Sequence, residues 1–204
     1  MFTAPGDAAG IGLALSQLNV RNTACDSAPL LWVQDRKSIR EMGRMFLHGL
    51  PAAAGRDIVH VAAQDGREAL WAMAEGLKCP SLGAVIGEIH GDPRALDFTA
   101  TRRLAVAAER YGVPAFLLRV SGNPDLSGAR RRWRAASRPS LPHPHDENAP
   151  GMPVWSLDLF RARDMPPHIW EASYDQAALR AENRLDMVSP AGTGPVEEDQ
   201  RRFG

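Results

Sequence analysis

The sequence predicts an α/β protein whose mostly parallel sheet is covered by helices on both faces. From Leu30 to Val120, short apolar stretches alternate with longer segments in which apolar residues recur with helical spacing. Continuous apolar stretches are typical of buried parallel strands, and the intervening segments are long enough for the helices that connect them. After Val120 apolar and polar residues alternate, which favours an extension of antiparallel strands at the C-terminal end.

The predicted parallel strands are the four apolar stretches of this region, at residues 30–34, 57–64, 82–89 and 114–120. The first intervening helix is predicted to include Ile39, Met42 and Phe46 and to continue towards residue 50, because these residues share helical spacing. Asp65 followed by Glu68 resembles a capping box, which predicts the start of the second helix.

A third helix is predicted to begin at Asp97 or Thr99, since apolar residues with helical spacing follow these N-cap residue types. This completes the alternating strand and helix order of the region. It is the order expected of βαβ units.

The C-terminal part is predicted to add antiparallel strands around residues 129–137, 153–163, 169–174 and 184–189. Trp155, Leu157 and Leu159 alternate with polar residues, which indicates an edge strand. We predict one domain over residues 1–188, with its core at about 28–163. A proline-rich loop at 137–153 is expected to be mobile, and a tail at 189–204 is expected to be flexible because it has few apolar residues.

The composition excludes several classes of protein. The formal net charge is zero, so a globally basic nucleic-acid-binding protein is not indicated. Cys25 and Cys79 are too few for a disulfide framework or a cysteine-based zinc site, and they fit a reducing compartment. We expect a cytoplasmic protein, because the chain has neither a membrane-spanning apolar run nor a basic signal-peptide segment.

The segment PGDAAGIGLALSQL, residues 5–18, has the outline of a phosphate-binding loop but not its functional residues. A P-loop has the pattern GxxxxGK[ST]. Counted from Gly6, the second glycine falls on Ile11, the lysine on Gly12 and the hydroxyl residue on Leu13. We therefore expect Gly6, Gly10 and Gly12 to be a degenerate loop without ATP hydrolysis and without a bound cofactor.

Glu88 follows the apolar stretch AVIG, at the strand end where parallel sheets present their ligand crevice. Nucleotide hydrolases place a magnesium-binding acid at such a position. The competing interpretation is a carboxylate that is solvated or paired with a nearby arginine, and the missing lysine favours it.

The residues do not predict an enzyme or a metal centre. His143, His145, Asp146 and Glu147 are potential metal ligands, but they lie in the proline-rich loop, so no metal site is expected. The sequence contains no GxSxG pattern, and neither cysteine lies in a reactive motif.

The strongest polar feature is a basic cluster of Arg130, Arg131, Arg132 and Arg134 with Trp133 among them. Guanidinium groups can bind phosphates and an indole can stack on a base, so this cluster is a candidate contact for single-stranded DNA. The alternatives are a solvated basic strand or an ion-paired surface that contacts a protein, with Trp133 in the core.

Several segments together resemble the ImuA family of bacterial inducible-mutagenesis proteins, which is grouped with RecA-like and SulA-like proteins. These segments are LLWVQDR, ALWAMAEGLKCPSLGAVIGEI, TATRRLAVAAERYGVPAFLLR, ARRRWRAAS and WSLDLFRAR, which together extend over about residues 30–163. The resemblance implies a RecA-like core that has lost its ATPase activity and serves SOS-induced translesion DNA synthesis. It also implies three partners, namely the inactive Y-family polymerase relative ImuB, an error-prone C-family polymerase and RecA.

The resemblance carries over to particular positions of this chain. Gly6, Gly10 and Gly12 would replace the Walker A loop, Glu88 would replace the Walker B acid, and residues 121–128 would replace the second DNA-binding loop of RecA. Because the chain begins almost at the glycine segment, the first strand of the core is expected to be absent.

We therefore expect a non-catalytic adaptor that binds ImuB and, through it or directly, RecA or DNA. Two alternatives stay open. One is a SulA-like inhibitor that binds the tubulin-like division protein, and the other is a protein with residual nucleotide binding.

Overall fold

The computed structural model describes residues 1–19, 28–46, 49–50, 56–124, 127–174 and 185–188. It confirms the predicted fold class: the chain forms an α/β structure with a mostly parallel sheet, flanking helices and antiparallel strands at the C-terminal end. The expected tail at 189–204 lies outside the described residues. Within them, no helix combines the length and the apolar composition that crossing a membrane would need.

The strands are β1 (Phe2–Thr3), β2 (Leu30–Asp35), β3 (Ile58–Ala63), β4 (Ala84–His90), β5 (Ala115–Val120), β6 (Arg131–Arg138), β7 (Val154–Ala162), β8 (His168–Tyr174) and β9 (Leu185–Val188). The helices are α1 (Ala9–Asn19), α2 (Arg36–Met42), α3 (Gly66–Gly76) and α4 (Phe98–Tyr111).

The described strands form one sheet in the order β3, β2, β4, β5, β1, β6, β7, β8, β9. All pairings from β3 to β6 are parallel, and those from β6 to β9 are antiparallel. The strand predicted at 153–163 is therefore not an edge strand, since β7 pairs with β6 and with β8. Alternation of residues shows that the two faces of a strand differ, but it does not show how many neighbours the strand has.

The expectation that the first core strand is absent is wrong. Phe2 and Thr3 form β1, which lies between β5 and β6, and Phe2 pairs with Arg119 on one side and with Arg134 on the other. The backbone N–H of Arg119 donates to the carbonyl oxygen of Met1 at 2.8 Å, which extends the ladder. A strand of two residues is too short to give a hydrophobic pattern, which is why the sequence did not reveal it.

Helices α3 and α4 cover one face of the sheet. Their apolar residues, including Leu70, Met73 and Leu104, pack in one cluster with Val33 and Val85 of the sheet. The predicted helix starts are confirmed: the Asp65 carboxylate accepts the N–H groups of residues 67 and 68, and Asp97 accepts the N–H of residue 100.

Helix α2 is shorter than predicted. It ends at Met42, and the following Gly43 has φ +82°, which an L-residue with a side chain rarely adopts. Phe46, which was expected on the apolar face of this helix, is instead 68% exposed.

Helix α1 covers the opposite face, where two glycines let it approach the sheet closely. A Cβ atom at Gly12 would lie 2.2 Å from the indole ring of Trp155, and one at Gly10 would lie 3.1 Å from Leu118 Cδ2. Trp155 and Leu13 belong to the same buried cluster. These glycines are thus explained by helix-to-sheet packing.

This packing predicts the outcome of a double-mutant cycle. Gly12→Ala should lower the free energy of unfolding by about 1 to 3 kcal/mol, because the added methyl group overlaps the Trp155 ring. Trp155→Phe removes the overlapping atoms, so the double variant should lose less stability than the sum of the two single changes. Urea unfolding of the four proteins measures the coupling, and additive losses would contradict this explanation of Gly12.

Candidate functional site

The turn between β1 and α1 is held by hydrogen bonds within the segment and to α2. Gly6 has φ +75°, and its N–H donates to Met42 Sδ at 2.9 Å. The N–H of Asp7 donates to the carbonyl oxygen of Ala4 at 3.2 Å, and the N–H of Ala9 donates to Asp7 Oδ1 at 2.9 Å. These three N–H groups of the segment are therefore engaged within the chain.

The Asp7 carboxylate occupies the N-terminal end of α1, the position at which a P-loop protein holds a phosphate. Oδ1 accepts the hydroxyl of Ser137 at 2.8 Å, and Oδ2 accepts the backbone N–H of Ser137 at 2.9 Å. A helix N-terminus favours a negative charge, and here a carboxylate of the chain supplies it. A phosphate at the same end would be repelled by Asp7, and the segment supplies no lysine to offset that repulsion.

Glu88 is not solvated, and no arginine in the described part of the chain forms an ion pair with it. Its side chain is 1% exposed; Oε1 accepts the indole N–H of Trp32 at 2.5 Å, and Oε2 accepts the amide of Gln34 at 3.1 Å. Burial is tolerated because both oxygens find donors. Trp32 and Gln34 lie on the neighbouring strand β2, so no feature of the sequence around Glu88 indicated them.

Gln34 extends this network to two further parts of the chain, the segment that follows α2 and strand β3. Its amide also donates to the carbonyl oxygen of Gly43 at 3.1 Å, and its oxygen accepts the N–H of Met45 at 3.2 Å. His60 Nε2 lies 2.9 Å from the same oxygen. The network therefore fixes the segment that follows α2 against β2, β3 and β4.

Two titratable groups of this network have shifted pKa values. Burial raises the pKa of Glu88 above 4.5, the Asp35 charge raises it further, and the hydrogen bonds from Gln34 and Trp32 oppose the increase. Burial lowers the pKa of His60 below 6.5, and the positive charge of Arg44 adds to this effect. Glu88 is therefore not arranged as a solvent-facing acid or base, whereas His60 is only partly buried.

The predicted basic cluster is largely ion-paired. Arg130 binds Glu109 through two hydrogen bonds of 2.5 and 2.7 Å, and Arg134 donates to Asp158 at 2.7 Å. Arg131 forms a paired contact with Asp164, and the guanidinium of Arg132 lies 5.4 Å from the Phe160 ring. The acidic partners are distant in sequence, so spacing could not identify them.

Trp133 lies on the opposite face of β6 from Arg132 and Arg134. It is 7% exposed and packs against Trp170, with ring centroids 5.6 Å apart. Stacking on a base would require Trp133 to leave the core. Exposing its buried apolar surface would cost about 3 kcal/mol.

A further polar cluster, which the sequence did not suggest, joins the loops after β4 and β5. Arg119 donates to the carbonyl oxygen of Gly91 at 2.9 Å and forms an ion pair with Asp92. Asp92 also accepts the backbone N–H of Asn123 at 3.0 Å and its side-chain amide at 2.7 Å. Within residues 121–124 and 127–128, the described part of the expected DNA-binding loop, Asn123 is thus held against the loop that follows β4.

Within the described parts of the chain, no three His, Cys, Asp or Glu side chains converge as metal ligands would. His143 and His145 lie with ring centroids 6.0 Å apart in the loop before β7. No protein-family model matches the chain, and no curated protein sequence is significantly similar to it.

The burial of Glu88 predicts that the difference in stability between the wild-type protein and the Glu88→Gln variant depends on pH. Because its pKa is raised in the folded state, the folded protein binds the Glu88 proton more tightly than the unfolded chain does. Its contribution to stability is complete below pH 4.5 and is lost as the pH increases through the folded-state pKa. Glu88→Gln should lack this loss, although its amide opposes that of Gln34 and lowers stability at every pH.

Urea unfolding of both proteins over a series of pH values measures this difference. The stability of the wild type relative to Glu88→Gln should decrease as the pH increases above 4.5. If the stabilities of the two proteins change with pH in parallel, the Glu88 carboxyl has the same pKa in the folded and unfolded states, and the prediction is wrong.

The role of Asp7 can be tested separately. Asp7→Ala should lower the free energy of unfolding by about 1 to 2 kcal/mol, because α1 loses an acceptor at its N-terminus and Ser137 loses its partner. Thermal and urea unfolding measure the loss. Ser137→Ala in the Asp7→Ala background should cost little more, whereas a full further loss would mean that the two side chains act independently.

Proposed function

We propose that this protein is a non-catalytic adaptor in SOS-induced, error-prone translesion DNA synthesis, and that it binds the polymerase relative ImuB in the cytoplasm. The resemblance of the segments between residues 30 and 163 to the ImuA family supports the biological setting. The main support for a function without catalysis is the position of the Asp7 carboxylate. It lies at the N-terminus of α1, where a nucleotide phosphate would have to bind.

Glu88, the second residue that nucleotide hydrolysis would need, also has a structural role. A magnesium-binding acid requires a carboxylate that can face the nucleotide. Both oxygens of Glu88 instead accept hydrogen bonds from Trp32 and Gln34 inside the core. Stability and surface shape can be kept without phosphate chemistry, because a fold and a function are separable.

The other proposed partners are RecA and an error-prone C-family polymerase, with single-stranded DNA as a further contact. The ion pairs of Arg130, Arg131 and Arg134 favour a protein-facing or structural role for this strand over a DNA-binding one. A phosphate would have to compete with a carboxylate for each of these guanidiniums.

Co-purification of the whole chain with ImuB, RecA and the tubulin-like division protein, each separately, tests the adaptor proposal. We expect stable binding of ImuB, with or without RecA, in the absence of nucleotide. Added ATP and Mg²⁺ should not change the yield, because the proposed function needs no nucleotide. Binding of the division protein alone would contradict the proposal and support a SulA-like inhibitor.

A further inference from the structure

The outward side of α3 carries a tryptophan in an unusual environment. Trp71 is 65% exposed, whereas Trp32, Trp133 and Trp155 are buried. Trp residues that are exposed in the free protein and buried in a complex are among the strongest contributors to protein binding. Val106, on the neighbouring helix α4, is 46% exposed.

Helices α3 and α4 present one common outer surface, because they pack side by side on the same face of the sheet. Their inward residues, including Leu70 and Leu104, belong to one buried cluster. Trp71 and Val106 lie on a different side of their helices from these buried residues, so both project from the outer surface.

The exposed charges of α3 and α4 are mostly positive: of the carboxylates there, Glu75 and Glu109 are paired with Lys78 and Arg130, and Glu68 lies beside Arg67. Arg67 lies four residues before Trp71, and Arg103 and Arg110 lie on either side of Val106 at helical spacing, all of them exposed. In the described part of the chain, no carboxylate lies within ion-pair distance of these three arginines; Glu75 pairs with Lys78 at 2.6 Å. This contrasts with Arg130, which precedes β6, and with Arg131 and Arg134 of β6, each of which has a carboxylate partner.

We propose that the outer surface of α3 and α4, formed by Arg67, Trp71, Arg103, Val106 and Arg110, binds an acidic amphipathic helix of the adaptor's partner protein. Arg103 and Arg110 are separated by two helical turns, about 10 Å along the axis. A helix lying along α4 would meet them with carboxylates at positions i and i+7, and it would place apolar residues at i+3 and i+4 on Trp71 and Val106. The inference rests on the adaptor function proposed above, since it names the surface through which that function is carried out.

Binding of a synthetic peptide tests the chemistry of this surface without the partner. The peptide has about 20 residues, enough to form an isolated helix, with Glu at i and i+7, Leu at i+3 and i+4, and no aromatic residue. Calorimetry measures its affinity. Acrylamide quenching of tryptophan fluorescence reports on Trp71, because most of the other tryptophans are shielded from the quencher.

The variants Trp71→Ala and Arg103→Gln/Arg110→Gln should each weaken peptide binding by at least about tenfold. The matched control Arg36→Gln/Arg40→Gln removes the same charge from exposed positions of α2, outside this surface, and should change the affinity by less than about twofold. Unchanged thermal unfolding confirms that each variant is folded. A lysine peptide in place of the glutamate peptide should not bind.

Lack of saturable binding of the acidic peptide, or an equal loss in the control variant, would overturn the proposed surface. Co-purification of ImuB with the same variants separates this failure from failure of the adaptor proposal. If ImuB binds Trp71→Ala and Arg103→Gln/Arg110→Gln as well as the wild type, the adaptor stands and the surface is wrong. If ImuB does not bind the wild type, the adaptor proposal fails, and the peptide still decides whether the surface binds acidic helices.

Discussion

A strand of two residues joins the two halves of the sheet. β1, formed by Phe2 and Thr3, pairs with β5 on one side and with β6 on the other, and these strands meet through it. The parallel strands and the antiparallel extension form one continuous sheet because β1 completes the hydrogen-bonded ladder between them. So short a strand contributes few hydrogen bonds, and its position therefore depends on the residues that follow it.

Those residues are the glycine segment, and their structural role accounts for their composition. Gly6 permits the turn, Asp7 closes it on α1 and on Ser137 of β6, and Gly10 and Gly12 let α1 lie directly on the sheet. The N–H groups of Gly6, Asp7 and Ala9 and the Asp7 carboxylate are therefore used to hold β1 and α1 in place. Glu88 is used in the same way, because its carboxylate ties β4 to Trp32 and Gln34 of β2.

Features encoded by neighbouring residues were predictable from the sequence, and those that depend on distant residues were not. The apolar stretches of β2, β4 and β5 indicated buried strands, and Asp65 and Asp97 indicated helix starts, because strand burial and capping are read within a few residues. The end of α2 at Gly43 was not recognised, since isolated glycines also occur within helices. The pairing of β7 on both sides depends on strands elsewhere in the chain.

The same distinction applies to the candidate sites. The sequence shows directly that the P-loop lysine is absent. The role of the Asp7 carboxylate depends on its contact with Ser137, which is 130 residues away in the chain. Arg130 and Arg131 formed an obvious basic run, whereas their partners Glu109 and Asp164 lie on other elements. The exposure of Trp71 was not singled out from the sequence either, because its neighbours Leu70 and Met73 are apolar, yet Trp71 projects outward from α3.

Equilibrium dialysis of the whole chain against labelled ATP with Mg²⁺ tests most directly the central claim, that this chain fills its own phosphate position. The account predicts no saturable binding up to about 1 mM, the upper end of the affinities usual for enzyme substrates. Saturable binding of one ATP per chain, displaced by ADP, would contradict it, because the Asp7 carboxylate and an incoming phosphate cannot share the N-terminus of α1.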